Sequence, residues 1–488
     1  MIAVQVRQGR WADSAKLLAA ARAAQGASGV DQAACFMATP ANLAEAREMG
    51  LWDEALATAG PDDIVIVVSG PEAAEGLQAA VAVLDSRPSA PGGGAVVAAP
   101  KSLSKVTADI ALISVPGDYA ALEAHKALSA GMDVMLFSDG VTIEDEVVLK
   151  RRARELGRLV MGPGCGTAII EGVGLAFANV VRRGPVGVVA AAGTGAQEVT
   201  VLLDRYGSGI SACYGTGGRD LHEQVGAITM LDAIDRLVAD PATEVILCVS
   251  KPPSPSVAEQ VLAALSATSK PAAVCFVGAS GLEAPEGVTI SATLEDAAIV
   301  AARMAGVTAE RAVNGTVDWI QPGLVRGLFS GGTLCAEAAA ILAERLRRVE
   351  SNAAAGAAVK LAPGQAPTTH ACLDLGEEEY TRGRPHPMID PFARAELLSQ
   401  VAADQAVSVI LLDVVLGYGS HPDPAGALVP AIRDGLAGRD RLAIVAHVCG
   451  TEADPQVASR QEEILIEAGV HLAQTNAQAA RLAAALVG

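Results

Sequence analysis

The stretch AAAGTGAQEV (190–199) follows the apolar run GPVGVVAAAG and leads into the helix-like AQEVTVLLDRYG. A strand, a turn of small residues and a helix, in that order, present backbone N–H groups to an anion such as phosphate. Gly193 and Gly195 permit close approach, and Thr194 adds a hydroxyl donor. A second turn of this kind carries Gly331, Gly332 and Thr333, and G-T-x-x-x-E recurs at 193–198 and 332–337, an offset of 139 residues. One such turn alone reads as packing, with glycine needed only for space. Repetition favours the anion reading. Two copies of a domain about a pseudo-two-fold could bring two helix N-termini, each with roughly half a positive charge, to one point.

Other residues offer chemistry of their own. Cys165 lies between glycines in MGPGCGTAI (161–169) and is a candidate nucleophile. His421 and His447 follow predicted strands, where α/β proteins bind ligands, and either could act as acid or base; a solvated loop histidine is an equal alternative. Glu198 and Glu337 fall in first helical turns, where the dipole already favours a carboxylate. His370 and His386 flank a loose segment without metal spacing and are read as structural; Asp139 and Asp145 are read as surface or capping acids. No metal site is expected.

The chain that must position these groups has 488 residues, enough for about three domains. Hydrophobic residues make up 51% and aromatics 3%, so its cores must be built from Ala, Val, Leu and Ile. Gly, Pro or a charge interrupts each apolar run before the roughly 20 residues of a membrane helix, and MIAVQVRQGRW lacks a signal pattern. Eight cysteines without CxxC spacing suit reduced thiols in a cytoplasm. A net charge of −19, with no basic stripe or aromatic platform, argues against nucleic acid. The expectation is a soluble, cytoplasmic homo-oligomer acting on a small molecule, with no membrane partner.

Short β-branched runs alternate with Ala/Leu/Glu helices, as in DIVIVVSG then PEAAEGLQAAVAVLDS, which predicts α/β layers around parallel sheets. Composition loosens at SRPSAPGGG (86–94), 182–185, 306–322 and 352–369. The predicted domains are 1–181, 182–305 and 324–488, with a linker at 306–323 and a flexible insertion at 351–369. ADPATEVILCV (239–249) matches ADQAVSVILLD (403–413) at an offset of 164, and one insertion of 25 residues before Cys372 reconciles this with the offset of 139.

These segments resemble the ligase domains of succinyl-CoA synthetase and other NDP-forming acyl-CoA synthetases. MGPGCGTAI is similar to that family's G-P-N-C-P-G segment, and AAGTGAQE to its S-G-T-x-x-x-E turn. YGTGGRD (214–220), with Gly217 and Gly218, is similar to its G-I-G-G-D turn. LDLGEEEY (373–380) and LLDVVLGYGSHPD (411–423), with Gly417 and His421, stand where the β-subunit has L-D-V-G-G-G and a later glycine-rich strand end. In length and order the chain resembles the FdrA group. The resemblance implies a Rossmann-like N-terminal domain followed by two tandem flavodoxin-like domains, with paired helices opening around a phosphoryl site.

The departures matter too. The family's phosphohistidine segment reads GLEAPEGVTIS (281–291) here, without histidine, and the glutamate that supports phosphohistidine aligns with Lys251. Residues 1–60 lack the CoA-binding glycine loop, which leaves CoA in doubt, and no ATP-grasp domain is present. By resemblance, FdrA-like proteins work with two partner subunits in the phosphorolysis of oxalurate to oxamate and carbamoyl phosphate. The expectation is therefore a carbamoyltransferase subunit acting on a small carboxylated ureide. Its helix ends would hold phosphate and oxyanion, and Lys251 the substrate carboxylate. Phosphate or carbamoyl phosphate is the expected ligand, with no tightly bound cofactor. The alternatives are an acyl-CoA synthetase subunit whose nucleotide domain is another chain, and a scaffold that binds a phosphometabolite.

Overall fold

The structure is a computed structural model that describes residues 1–10, 12, 14–86, 103, 106–311, 322–381, 384–439 and 441–487. The loop expected from 87 to 94 and the linker from 312 to 321 lie outside the described residues. The chain divides into two compact units, residues 1–99 with 382–385, and residues 100–381 with 386–488.

The first unit runs β1 (Ile2–Arg7), α1 (Ser14–Gln25), β2 (Gln32–Met37), α2 (Pro40–Glu48), β3 (Ile64–Ser69) and α3 (Ala73–Asp85). Its sheet has the order β1-β3-β2 and is antiparallel. The run IVIVV of β3 is buried on both faces, as a central strand must be. Alternate residues meet Leu17, Ala20 and Ala24 of α1 on one side and Leu51 and Leu56 on the other. A single domain over 1–181 is thus corrected to two parts. Alternating strand and helix patterns specify layers, and they do not encode strand direction.

The Rossmann-like alternation lies in the second unit. There β4 (Ile110–Ile113), α4 (Gly117–Ser129), β5 (Asp133–Leu136), α5 (Ile143–Glu155) and β6 (Val160–Met161) build a parallel three-stranded sheet. A hairpin, β7 (Thr167–Ile170) and β8 (Val173–Ala176), joins the edge of the next sheet. That sheet takes β9 (Arg183–Ala191), β10 (Ile210–Gly215), β11 (Val245–Ser250), β12 (Ala272–Phe276) and β13 (Val288–Ile290). Its helices are α6 (Gly193–Arg205), α7 (Ile228–Ala239), α8 (Pro255–Ser266) and α9 (Leu294–Met304). The order β13-β12-β11-β9-β10-β7-β8 contains the flavodoxin-like winding of five parallel strands.

The winding then repeats. β14 (Leu324–Phe329), α10 (Gly332–Arg345), β15 (Val349–Ser351), β16 (Val359–Lys360) and β17 (His370–Asp374) come first. They are followed by α11 (Glu378–Thr381), α12 (Phe392–Ala403), β18 (Val407–Val415) and α13 (Pro424–Leu436). The chain ends with β19 (Ala443–Cys449), α14 (Ala458–Glu467), β20 (His471–Ala473) and α15 (Asn476–Val487). The parallel sheet has the order β16-β15-β17-β14-β18-β19-β20. Comparison with the first sheet shows what the extra residues do: β17 enters between β14 and β15. The segment 351–369 is accordingly not a loose insertion. It carries edge strand β16 and buries Ala353, Ala355 and Leu361.

One hydrophobic cluster contains residues of α6 and α9 together with residues of α10 and α15. In α6 every residue from Gly195 to Leu203 is buried, so this helix faces protein on all sides. Alanine and glycine let such helices approach closely, which explains how so few aromatics suffice.

Candidate functional site

The strand β9 ends in Ala191, Ala192 is extended, and Gly193 opens α6 with no side chain capping its N-terminus. Helix geometry leaves the first-turn N–H groups without intrahelical acceptors. Gly193 is exposed and Thr194 half-buried. Helix α10 starts the same way after Gly331, but its end is partly filled. The buried Asp413 carboxylate accepts from Ser330 N (2.8 Å), Gly331 N (2.7 Å) and the Ser330 hydroxyl (3.1 Å), while Arg394 donates to it at 2.8 Å. These bonds occupy the N–H groups of the two residues that precede α10. Thr333 N donates to Thr194 Oγ1 at 3.3 Å, so the two repeat-related turns touch. A methyl group at Gly195 would stand 2.9 Å from Thr333 Cγ2, and one at Gly331 2.9 Å from Thr194 Cγ2. The close approach of the ends requires glycine at both places.

Three further segments line this seam. A methyl group on Gly193 would lie 3.5 Å from Thr167 Oγ1, and one on Gly215 2.5 Å from Cys165 Sγ. Gly217, at φ +84°, packs against Gly162 and Pro163, while Gly218 faces open space. Behind this loop Lys150, wholly buried on α5, is held by Glu146 and Asp220 at 2.7 Å each and donates to the Thr216 carbonyl at 3.1 Å. Lys251, just beyond β11, puts Nζ 3.9 Å from Glu377 Oε1, both side chains nearly half exposed. Asp374, at the end of β17, is almost wholly buried, and burial pushes its carboxyl up to about 6 although Lys251 pulls it down.

Other expected residues stand differently. Cys165 is buried, its thiol directed at the Thr167 carbonyl 3.6 Å away, and burial pushes the thiol up to about 12. That is a packed thiol, which corrects the reading as a nucleophile. The contacts of His421 run to Met388, Asp423 and Gln456, not to the seam. Gly417, at φ +106°, lies against Ala178. His447 is buried, its Nδ1 3.2 Å from the Ala473 carbonyl and its Nε2 2.8 Å from Glu198 Oε2. The solvated-loop reading of His447 is thereby corrected.

The glutamates do more than complement their own helix dipoles. Glu198 Oε1 accepts from Asn476 N at 3.2 Å, the first residue of α15, and Glu337 Oε1 accepts from Leu294 N at 2.6 Å, the first of α9. Each carboxylate of the repeat thus caps a helix of the other domain. Cys449 joins Glu198 and His447 in one buried group of ligating atoms. Asp374, Asp413 and Glu377 were missed as site residues, although the motif LDLGEEEY holds two of them. His386, read as structural, stands against Gly376; burial lowers its pKa to about 4, so it is neutral there.

Three families match parts of the chain: "AllF, heavy metal-associated domain" at residues 1–97, "CoA binding domain" at 181–278 and "CoA-ligase" at 328–486. The first implies a soft metal, and the residues do not fit one. Residues 1–97 hold one cysteine, Cys35, and no histidine, and burial pushes Cys35 up to about 12. YahF of Escherichia coli (strain K12) is 38% identical over 99% of this chain and 98% of its own length. The succinate–CoA ligase [ADP-forming] subunit alpha of Aquifex aeolicus (strain VF5) is 30% identical over 31% of this chain, which spans half of that protein. A solved acetyl-coenzyme A synthetase of Ca. Korarchaeum cryptofilum, in complex with phosphate and ADP, aligns over 79% of this chain and 84% of its own, at 16% identity and a TM-score of 0.34. Among the described residues no helix is long and apolar enough to cross a membrane. With near full-length similarity to YahF and matched CoA-binding and CoA-ligase domains, the chain belongs to the YahF family, an FdrA-like branch of the succinyl-CoA synthetase-like superfamily.

Proposed function

We propose that the seam between α6 and α10 binds the phosphate of an acyl phosphate, and that the chain is an acyl-transfer subunit. The observation that carries this is the contact of two repeat-related helix N-termini, with Gly193 exposed at the start of α6 and Lys251 beside Gly332 at the start of α10. Helix-end N–H groups and an ammonium can hold phosphate and stabilise it as a leaving group. A nucleophile then attacks the carbonyl carbon, the bond from that carbon to the phosphate oxygen breaks, and the nucleophile's proton passes to a base or solvent.

Two nucleophiles suit this step. The thiol of CoA is favoured by the matched CoA-binding and CoA-ligase families, and makes the chain an acyl-CoA synthetase-like subunit. The nitrogen of oxamate or a related carboxylated amide is the second, and makes it a carbamoyltransferase subunit working with two partner subunits. The observation favouring it is the segment 281–291, which has no histidine to carry a phosphoryl relay. The experiment pairs two assays on the chain with its co-purified partners: thioester formation from acyl phosphates and CoA, and carbamoyl phosphate formation from oxalurate and phosphate. Thioester alone supports the first, carbamoyl phosphate alone the second. Neither product would contradict acyl transfer.

A further inference from the structure

His447 and Cys449 are alternate residues of β19, so both side chains leave the same face of that strand. Glu198 of α6 meets them there from the other domain, 249 residues from His447 in sequence. An imidazole nitrogen, a sulfur and a carboxylate oxygen of the three lie within 4.8 Å of one another, and none of the residues is more than 1% exposed. One hydrogen bond outside the group decides what it can hold. His447 Nδ1 faces the Ala473 carbonyl at 3.2 Å, and a carbonyl only accepts, so Nδ1 carries the ring proton. A neutral ring then turns the bare lone pair of Nε2 toward Glu198 Oε2, 2.8 Å away. Two acceptors stand that close only with a positive centre between them. A proton is one such centre, and a metal ion is another.

We propose that Glu198, His447 and Cys449 bind a zinc ion that ties the two flavodoxin-like domains together. Nitrogen, thiolate sulfur and carboxylate oxygen are the ligands zinc takes, and a fourth tetrahedral position is left for water or a backbone oxygen. A carbonyl on the far nitrogen is a common device for fixing the tautomer of a ligating histidine, and Ala473 supplies it. Charge suits the ion as well: Zn²⁺ with one thiolate and one carboxylate is neutral, which matters in a place without water. As the zinc–sulfur bond forms, the Cys449 thiol proton leaves to solvent, and a charged His447 gives up its Nε2 proton in the same way. Zinc–ligand bonds of about 2.0 Å would widen the contact between Nε2 and Oε2 by roughly half an ångström. Glu198 lies about 7–8 Å along α6 from Gly193, so the ion would anchor the helix whose start lines the seam. The site stands independently of the acyl-phosphate reading.

The full chain, produced in medium supplemented with zinc and separately with cobalt, tests this by elemental analysis and absorption spectroscopy after gel filtration. Wild type should hold about one zinc per chain, and its cobalt form should show the sulfur-to-cobalt charge-transfer band that thiolate ligation gives. Cys449→Ala should bring both to background and should lose the rise in melting temperature that zinc gives the wild type. Cys35→Ala, which removes the one cysteine of residues 1–97, should leave all three unchanged. Zinc-edge X-ray absorption of the wild type needs no variant and should show one sulfur together with nitrogen and oxygen. Background metal in the wild type, or a zinc shell of oxygen and nitrogen alone, overturns the inference and leaves a proton between His447 and Glu198. Metal and band that persist in a folded Cys449→Ala, or that vanish in Cys35→Ala, overturn it as well.

Discussion

Lys251 and Asp374 show how opposite charges divide one small site. Lys251 is half-exposed and adjustable, whereas Asp374 is fixed by Asn352 and Gly376. Lys251→Met should weaken phosphate binding by about tenfold with little change in melting temperature, since it removes a charge-assisted contact at a solvated position. Titration calorimetry against a melting curve separates the two effects. Asp374 also imposes a pH signature. Its carboxyl is raised from an ordinary value near 4 to about 6, chiefly by burial. Below about pH 4 it is protonated in folded and unfolded chains alike. As pH rises from there to about 6, only the unfolded chain ionises, so stability falls across that window and levels off above it. Asp374→Asn should remove that fall, on the order of 2–3 kcal/mol, in urea unfolding compared at the two ends of the window. The glycines and Thr194 were singled out by residue type and spacing, and Lys251 by its alignment with the resembled family. The burial that quiets Cys165 and arms Asp374 was not legible, because burial depends on neighbours distant in sequence.

At the level of elements, the repeat was legible because both copies keep the same strand, turn and helix start. Its second copy hid a strand. Nothing in the composition of 351–369 says that β17 will slip between β14 and β15, since local patterns give an element's type and not its place in a sheet. The antiparallel sheet of the first unit escaped for the same reason. Where α6 meets α10, contact distance is the controlling quantity. Gly195→Ala would put a methyl group 2.9 Å from Thr333 Cγ2 and 3.1 Å from Val249 Cγ1. It should cost about 1–3 kcal/mol in denaturant unfolding by forcing the helix ends apart, and should weaken phosphate binding in parallel. Unchanged stability would mean that the ends have slack.

Across the second unit, the two flavodoxin-like domains hold each other through buried polar groups as well as a shared apolar core. Glu198 and Glu337 cap helices of the opposite copy, and His447 closes on Glu198. Burial works against the charge of Glu198, but His447 and the Asn476 N–H more than offset it and hold the carboxyl below its usual value. Glu198→Gln breaks this pair in a place without water, where such losses typically cost about 3–5 kcal/mol. Calorimetry should show both domains melting earlier together; a transition left unmoved would show that the pair does not join them. The central claim remains that the seam is an anion site. A crystal structure of the full chain grown with inorganic phosphate tests it most directly. The account predicts phosphate at the start of α6, hydrogen-bonded to N–H groups of Gly193–Gly195 and within reach of Lys251. Phosphate bound elsewhere, with that helix end holding only water, would contradict it.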